Sequence, residues 1–206
     1  AFLGQMLVLY LLSLKIAETR KDIGQEDYKK KITELKQIPK LIKETLEGEE
    51  KIQLIAKDIF NSKGSMFLGR GLSFPIALEG ALKLKELSYL HAEGYPAGEM
   101  KHGPLALIED GLPVIVVAPK DKYFEKTLSN MQEVIARGGK VLLITNSGGK
   151  VISENIRFQI DLPVSSSTLT PFLFTIPLQL LSYHVALFKK CDIDKPRNLA
   201  KSVTVE

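Results

Sequence analysis

One stretch of the chain carries three ionisable side chains at helical spacing. Glu79, Lys83 and Glu86 lie four and three residues apart, so a helix places them on one face. The surrounding residues are small and apolar, which favours a buried helix, and a buried glutamate beside a lysine is costly unless it is paired or used. A carboxylate held in this way can move a proton between neighbouring carbons of a sugar, while the ammonium group stabilises the oxyanion that develops.

The same three residues also fit a plainer interpretation. An exposed pair at i,i+4 with a spare acid would stabilise the helix by roughly a few tenths of a kcal/mol and would do no chemistry. The sequence does not decide between these two interpretations.

His102 is a second candidate for acid–base chemistry. It follows a glycine-bearing loop and precedes Gly103-Pro104, where an accessible imidazole is suited to opening a sugar ring. For His91 and His184, which lie near a predicted helix end and within a predicted helix, we expect packing or capping roles.

A glycine turn precedes the charged helix. Gly69-Arg70-Gly71 leads to Ser73, the expected cap, and to Pro75, the expected first helical residue. Exposed amides and the helix dipole at such a turn favour an anion, so a phosphate cradle is one interpretation. The turn is not a dinucleotide fingerprint, because the third glycine is absent, and a simple strand-to-helix connection is equally compatible.

Short apolar runs alternate with longer helical patterns from Ser65 onward. Continuous runs such as VIVVA and VLLIT are typical of strands buried on both faces. The pattern predicts strands at 66–68, 114–118, 141–145 and 157–162, and helices from Pro75 to about Ala92, from Tyr123 to Arg137 and within Pro171 to Lys189. The fold class is therefore α/β, a doubly wound parallel sheet with an N-terminal helical segment.

The N-terminal third is predicted to be helical. Apolar residues recur at helical spacing between Lys21 and Glu50, with a break at Pro39, and a further short helix covers Ile52 to Phe60. The opening apolar run ends by Lys15, which is short for a membrane span. We expect a buried helix that packs against a preceding domain.

The composition of the chain indicates which kinds of ligand and partner it binds. The 206 residues are 45% hydrophobic with a formal net charge of +4, which is ordinary for a globular domain and suits an anionic small molecule rather than nucleic acid. The single cysteine, Cys191, excludes an internal disulfide and offers no zinc spacing. We expect a cytoplasmic protein with no cofactor, no metal and no membrane contact.

Three segments resemble a known enzyme family. The stretches ALEGALKLKELSYLHAEGYPAGEMKHGPLALI, IPLQLLSYHVALFK and DIDKPRNLAKSVTVE are similar to the C-terminal end of the glutamine–fructose-6-phosphate aminotransferases, also called glucosamine-6-phosphate synthases. The resemblance implies the end of a preceding SIS (sugar isomerase) subdomain plus a helical linker in residues 1–63. It further implies a second, flavodoxin-like SIS subdomain in 64–190 and a catalytic tail in 191–206.

The resemblance also assigns roles to residues. It implies that Lys201 forms a Schiff base with open-chain fructose-6-phosphate and that Glu86 carries the proton between C1 and C2. Lys83 is implied to assist at the developing oxyanion and Glu79 to support it. Ala200 and the tail backbone would border the sugar.

The implied site extends beyond one copy of this chain. In the family, the histidine that corresponds to His102 opens the sugar ring bound by the neighbouring subunit. The resemblance therefore implies a homodimer. The first SIS subdomain, with its phosphate loop, and the ammonia-supplying glutaminase domain are missing partners of the same chain, so the fragment alone is expected to be weak or inactive. The alternative is a non-catalytic SIS module that binds a sugar phosphate and regulates a partner.

Overall fold

The N-terminal region of the chain is a series of four helices. The computed structural model describes residues 1–149, 151 and 155–199. The first helices are α1 (Phe2–Thr19), α2 (Gln25–Leu35), α3 (Ile38–Leu46) and α4 (Glu49–Ile59). Pro39 lies in the first turn of α3, where its missing N–H costs nothing, so the predicted break is confirmed.

A parallel sheet forms the centre of the domain. The described residues contribute five strands: β1 (Gly64–Gly69), β2 (His91–Pro96), β3 (Pro113–Ala118), β4 (Lys140–Thr145) and β5 (Ile156–Asp161). Their order is β2-β1-β3-β4-β5 and every pairing is parallel. The predicted α/β class is confirmed.

Helices cover both faces of this sheet. The remaining helices are α5 (Ser73–Ser88), α6 (Phe124–Ile135) and α7 (Thr170–Phe188), with two short 3-10 helices at Ala97–His102 and Pro104–Leu107. One core layer joins α4, α5 and α7 to side chains such as Phe67 and Ile115. The other joins α6 to side chains such as Leu68 and Val116. Because neighbouring strand residues face opposite sides, each central strand contributes to both cores.

The second strand was not predicted. The helix expected to reach Ala92 ends at Ser88, and His91–Pro96 pairs with β1 along the edge of the sheet. A strand paired along one edge tolerates glycine and proline, so HAEGYP lacks the continuous apolar pattern of a central strand. His91 is consequently exposed beside Glu93, at 3.3 Å, instead of packing or capping a helix.

The start of α5 also differs from the prediction. The helix begins at Ser73, so Pro75 is its third residue, and Ser73 makes no side-chain capping bond. The turn before it is closed by backbone bonds, from the Ser73 N–H to the Arg70 carbonyl and from the Phe74 N–H to the Gly71 carbonyl. The backbone turn thus replaces the expected side-chain cap.

Two helices, α1 and α7, have the length and composition of a membrane span. α7 is a core helix, because most of its residues are buried. In α1 only Leu14 is buried, and Val8, Leu9 and Leu12 are exposed. These exposed side chains leave the expected packing of α1 against a preceding domain as a prediction.

Candidate functional site

The charged residues of α5 form a close pair. Lys83 Nζ lies 2.7 Å from Glu86 Oε2, and the two side chains are 30% and 29% exposed. An ion pair shielded to this extent is held more firmly than a fully solvated one, yet both groups remain accessible to a ligand. The structure thus places a carboxylate and an ammonium group together, one turn apart, at an open surface.

Glu79 lies one turn before this pair. Burial raises the pKa of its carboxyl, Lys83 opposes that rise and Glu86 adds to it. Its Oε1 is buried and has no hydrogen-bond partner among the described residues. The fold therefore compensates the charge of an ionised Glu79 only in part.

A pocket opens over the second half of α5. Its volume is about 530 Å³, and the residues that line it include Lys83, Glu86, Tyr89, Arg197, Asn198 and Leu199. Two segments more than a hundred residues apart in sequence therefore meet at one surface. A pocket of this size is in the range that small-molecule sites occupy.

Tyr89 connects these two segments. It caps α5 in the left-handed conformation, with φ of 59°. Its hydroxyl oxygen accepts a hydrogen bond of 2.9 Å from the Arg197 N–H, and the Arg197 guanidinium carbon lies 4.1 Å from the ring centroid. Strained backbone of this kind persists where surrounding contacts hold it, often near functional sites.

Tyr89, Arg197 and Lys85, which also lines the pocket, were not predicted as site residues. The residue that ends a helix in the left-handed conformation is usually glycine or asparagine. The sequence therefore gave no sign that Tyr89 would take this position. The only available clue was position, because Tyr89 is one turn beyond Glu86 and Arg197 shortly precedes Lys201.

His102 occupies a different part of the domain. It ends the first 3-10 helix, its ring is 74% exposed, and its Nδ1 lies 2.7 Å from Glu99 Oε2. It is not among the described residues that line the Glu86 pocket. The Glu99 carboxylate holds one nitrogen of the ring, and the ring itself is mostly open to solvent.

The remaining predicted residues divide into two groups. Lys201 and Ala200 lie outside the described residues, although Arg197–Leu199 leads the chain into the pocket just before them. Gly69, Arg70 and Gly71 lie at the opposite end of α5, so the glycine turn and the Glu86 pocket are not brought together.

Comparison with known proteins identifies the domain. The SIS domain family matches residues 58–189. The chain is 49% identical, over its whole length, to a glutamine–fructose-6-phosphate aminotransferase [isomerizing] of Bradyrhizobium diazoefficiens, and covers 34% of that protein. It is 50% identical to a protein of the same description from Bacteroides thetaiotaomicron, again covering 34% of it. The chain therefore spans about a third of the length of these relatives.

Two solved structures are also similar to this chain. The C-terminal domain of glucosamine-fructose-6-phosphate aminotransferase from Francisella tularensis superposes with a TM-score of 0.91 at 44% identity. That alignment covers 94% of this chain and 55% of the other. A glucosamine-6-phosphate deaminase from Thermotoga maritima aligns with a TM-score of 0.65 at 26% identity, over 92% of this chain and 53% of the other.

Proposed function

We propose that this chain, which belongs to the SIS domain family, is the part of a glutamine–fructose-6-phosphate aminotransferase that carries the sugar-isomerising residues. Its homology to those enzymes over its full length supports the proposal. The reaction would convert fructose-6-phosphate and glutamine-derived ammonia to glucosamine-6-phosphate. The structural observation that carries the proposal is the Lys83–Glu86 pair in a pocket shared with Arg197–Leu199.

The geometry of α5 supports the chemistry that we assign to its residues. Moving a proton from C1 to C2 of a ketose imine needs a carboxylate that can reach both carbons, and Glu86 is accessible from the pocket. Negative charge develops on the neighbouring oxygen during this transfer, and the Lys83 ammonium is positioned to stabilise it. Glu79, one turn away, would support Lys83 electrostatically.

Two further residues with proposed catalytic roles do not belong to α5. Lys201 would attack C2 of the open-chain ketose and form a Schiff base with loss of water, and ammonia would then displace the Lys201 amine from C2 to give the ketose imine on which Glu86 acts. His102 would open the sugar ring from the neighbouring subunit of a homodimer. Its exposure and its absence from the described lining of the Glu86 pocket are compatible with service to a partner's site.

The proposal divides the chain by role. Residues 1–63 would complete a preceding SIS subdomain and a helical linker, 64–190 would form the second SIS subdomain, and 191–206 the catalytic tail. The glutaminase and first SIS domains would lie in the rest of the same protein, and the whole would work in the cytoplasm on a sugar phosphate.

A direct assay tests the role of Glu86. In the full-length protein, supplied with fructose-6-phosphate and free ammonia, Glu86→Gln should lower glucosamine-6-phosphate formation by about 100-fold or more, because the general base is lost. Glu47→Gln is a matched control, since Glu47 is exposed between α3 and α4 and should leave the rate unchanged. Wild-type turnover by Glu86→Gln would overturn the proposal. Sugar-phosphate binding without any turnover in the unmodified protein would instead indicate a regulatory module.

A further inference from the structure

We propose that Asn130 and Glu133, two residues of α6, position the short helix that carries His102. This 3-10 helix, Ala97–His102, is the His102 helix. Asn130 and Glu133 lie three residues apart, so both side chains lie on one face of α6. The inference rests on the ring-opening role proposed for His102 and names two residues that hold its imidazole in place.

The His102 helix has three sides with different surroundings. Because a 3-10 helix has three residues per turn, residues three positions apart share a side. The three sides are Ala97 with Met100, Gly98 with Lys101, and Glu99 with His102. The first side is fully buried in the core layer that includes α6, and the third is exposed. The second side remains, and its contacts decide how the helix is held against rotation.

Asn130 holds the start of the His102 helix. With its side-chain amide oriented so that the nitrogen faces two carbonyl groups, Nδ2 donates hydrogen bonds of 3.1 Å to the Ala97 and Lys126 oxygens. Ala97 is the first residue of the His102 helix, whereas Lys126 belongs to α6. One side chain therefore joins the main chains of the two elements.

Glu133 holds the other end of the His102 helix. Its Oε1 lies 3.1 Å from Lys101 Nζ, and the two side chains are 21% and 66% exposed. Among the described residues, Lys101 is the only cation paired with Glu133, and Glu133 Oε2 is buried there without a hydrogen-bond partner. A carboxylate shielded from water is costly unless a cation compensates it, so Glu133 holds Lys101, the residue directly before His102.

Arg70 lies against the middle of the same side. A Cβ atom added to Gly98 would be 3.0 Å from Arg70 Nη1, and this nitrogen lies 3.5 Å from the Asn130 side-chain amide. The Arg70 guanidinium therefore fills the space between Gly98 and α6. Together with Asn130 and Glu133 it contacts the side of the His102 helix that the core leaves uncovered.

These contacts matter because His102 has little other support. Its ring bonds to Glu99, which belongs to the same short helix and moves with it. The next residue, Gly103, has φ of 141°, which L side chains rarely adopt, and it is exposed. A displacement of about 1 Å in a reacting group can slow catalysis about 100-fold. Loss of the α6 contacts should therefore impair the step that His102 performs and no other.

An open-chain substrate separates positioning of His102 from a general effect on folding. The C5 hydroxyl of fructose-6-phosphate closes the ring on C2, so 5-deoxyfructose 6-phosphate stays open and needs no ring opening. In the full-length protein supplied with ammonia, Asn130→Asp replaces the donor by a negative oxygen facing the Ala97 carbonyl. It should lower kcat/KM for fructose-6-phosphate about tenfold and leave that for the deoxy analogue unchanged.

Glu133→Gln should show the same selectivity with a smaller loss of about threefold, because Lys101 is largely solvated. Exchange of the two charges, Lys101→Glu with Glu133→Lys, should restore the activity that either single reversal lowers. Equal losses with both substrates, or no loss with fructose-6-phosphate, in both Asn130→Asp and Glu133→Gln would overturn the proposal.

Two further variants complete the experiment. Glu125→Gln is the matched control, because it removes an ion pair of 3.2 Å with Lys120 from an exposed part of α6 and should change neither rate. His102→Gln is the reference and should lose turnover of fructose-6-phosphate while it keeps that of the deoxy analogue. If His102→Gln is not selective, the ring-opening role falls and the positioning inference falls with it. If His102→Gln is selective but Asn130→Asp and Glu133→Gln are not, only the positioning inference is overturned.

Discussion

The Tyr89 hydroxyl oxygen accepts a 2.9 Å hydrogen bond from the Arg197 N–H, while the Tyr89 ring packs under the Arg197 guanidinium. This contact fixes the end of α5 to the segment that leads towards Lys201. Glu86 lies less than one turn before Tyr89, so the same contact holds Arg197 close to the α5 carboxylate. Pre-organisation of this kind lowers the entropy cost of assembling a site from distant segments.

Loss of the Tyr89 hydroxyl should loosen the tail. Tyr89→Phe keeps the ring under Arg197 but removes the hydrogen-bond acceptor, so the Arg197 amide should exchange with solvent about tenfold faster. Glucosamine-6-phosphate formation by the full-length protein should fall, with a larger effect for Tyr89→Ala. Tyr183→Phe is the control, because the partly exposed Tyr183 lies on α7 outside the pocket. Unchanged exchange at Arg197 in Tyr89→Phe would show that the contact does not hold the tail.

Subunit complementation tests the place of His102. Co-expression of Glu86→Gln and His102→Gln subunits yields mixed dimers in which one site has both residues intact, if His102 serves its neighbour. Random pairing should then restore about a quarter of wild-type activity, since about half the dimers are mixed and each has one competent site. If His102 acts within its own subunit, the mixture should be as inactive as either variant alone.

The sequence predicted the parts of this fold that depend on strong local patterns. β3 and β4 are buried on both faces, so their continuous apolar runs predicted them as strands. The spacing of Lys83 and Glu86 correctly placed these two residues on one face of a helix. β2 was missed because an edge strand can be polar and contain glycine and proline. The Tyr89–Arg197 contact was missed because it joins residues 108 positions apart, with no local signal for either.

Asp58 should stabilise the domain in a pH-dependent manner. It joins α4 to β4 through Lys140 and to β5 through Arg157, each at 3.1 Å. Burial tends to raise the pKa of Asp58, but the bonds to Arg157 and Lys140 outweigh it and hold the pKa below its usual 3.8. The stabilisation is therefore present above pH 3.8 and is lost as the pH falls through the folded-state pKa.

The matching experiment compares denaturant unfolding at two pH values. Asp58→Asn should lower the free energy of unfolding by about 1 kcal/mol at pH 7, and the difference should shrink well below pH 3.8. Asp22→Asn removes an exposed pair with Arg20 and should have almost no effect. An equal loss for both variants at pH 7 would contradict the role of Asp58.

The effect of Glu79 on stability should have the opposite pH dependence. Because its pKa is raised in the folded state, chiefly by burial, its ionisation opposes folding once the pH rises above the ordinary glutamate value of 4.5. Glu79→Gln should therefore raise the Tm at pH 7, and the difference should vanish as the pH falls towards 4. The same variant should lower turnover in the full-length protein. A Tm difference that did not depend on pH would show that ionisation of Glu79 is not its origin.

Borohydride trapping tests the central claim most directly. The full-length protein is incubated with fructose-6-phosphate, reduced with borohydride and digested, and the modified peptide is identified by mass spectrometry. The Schiff-base proposal predicts a reduced hexose phosphate on Lys201, absent from Lys201→Arg and still formed in Glu86→Gln, since the imine precedes proton transfer. Glucosamine-6-phosphate formation at the wild-type rate by Lys201→Arg, without any trapped adduct, would contradict it.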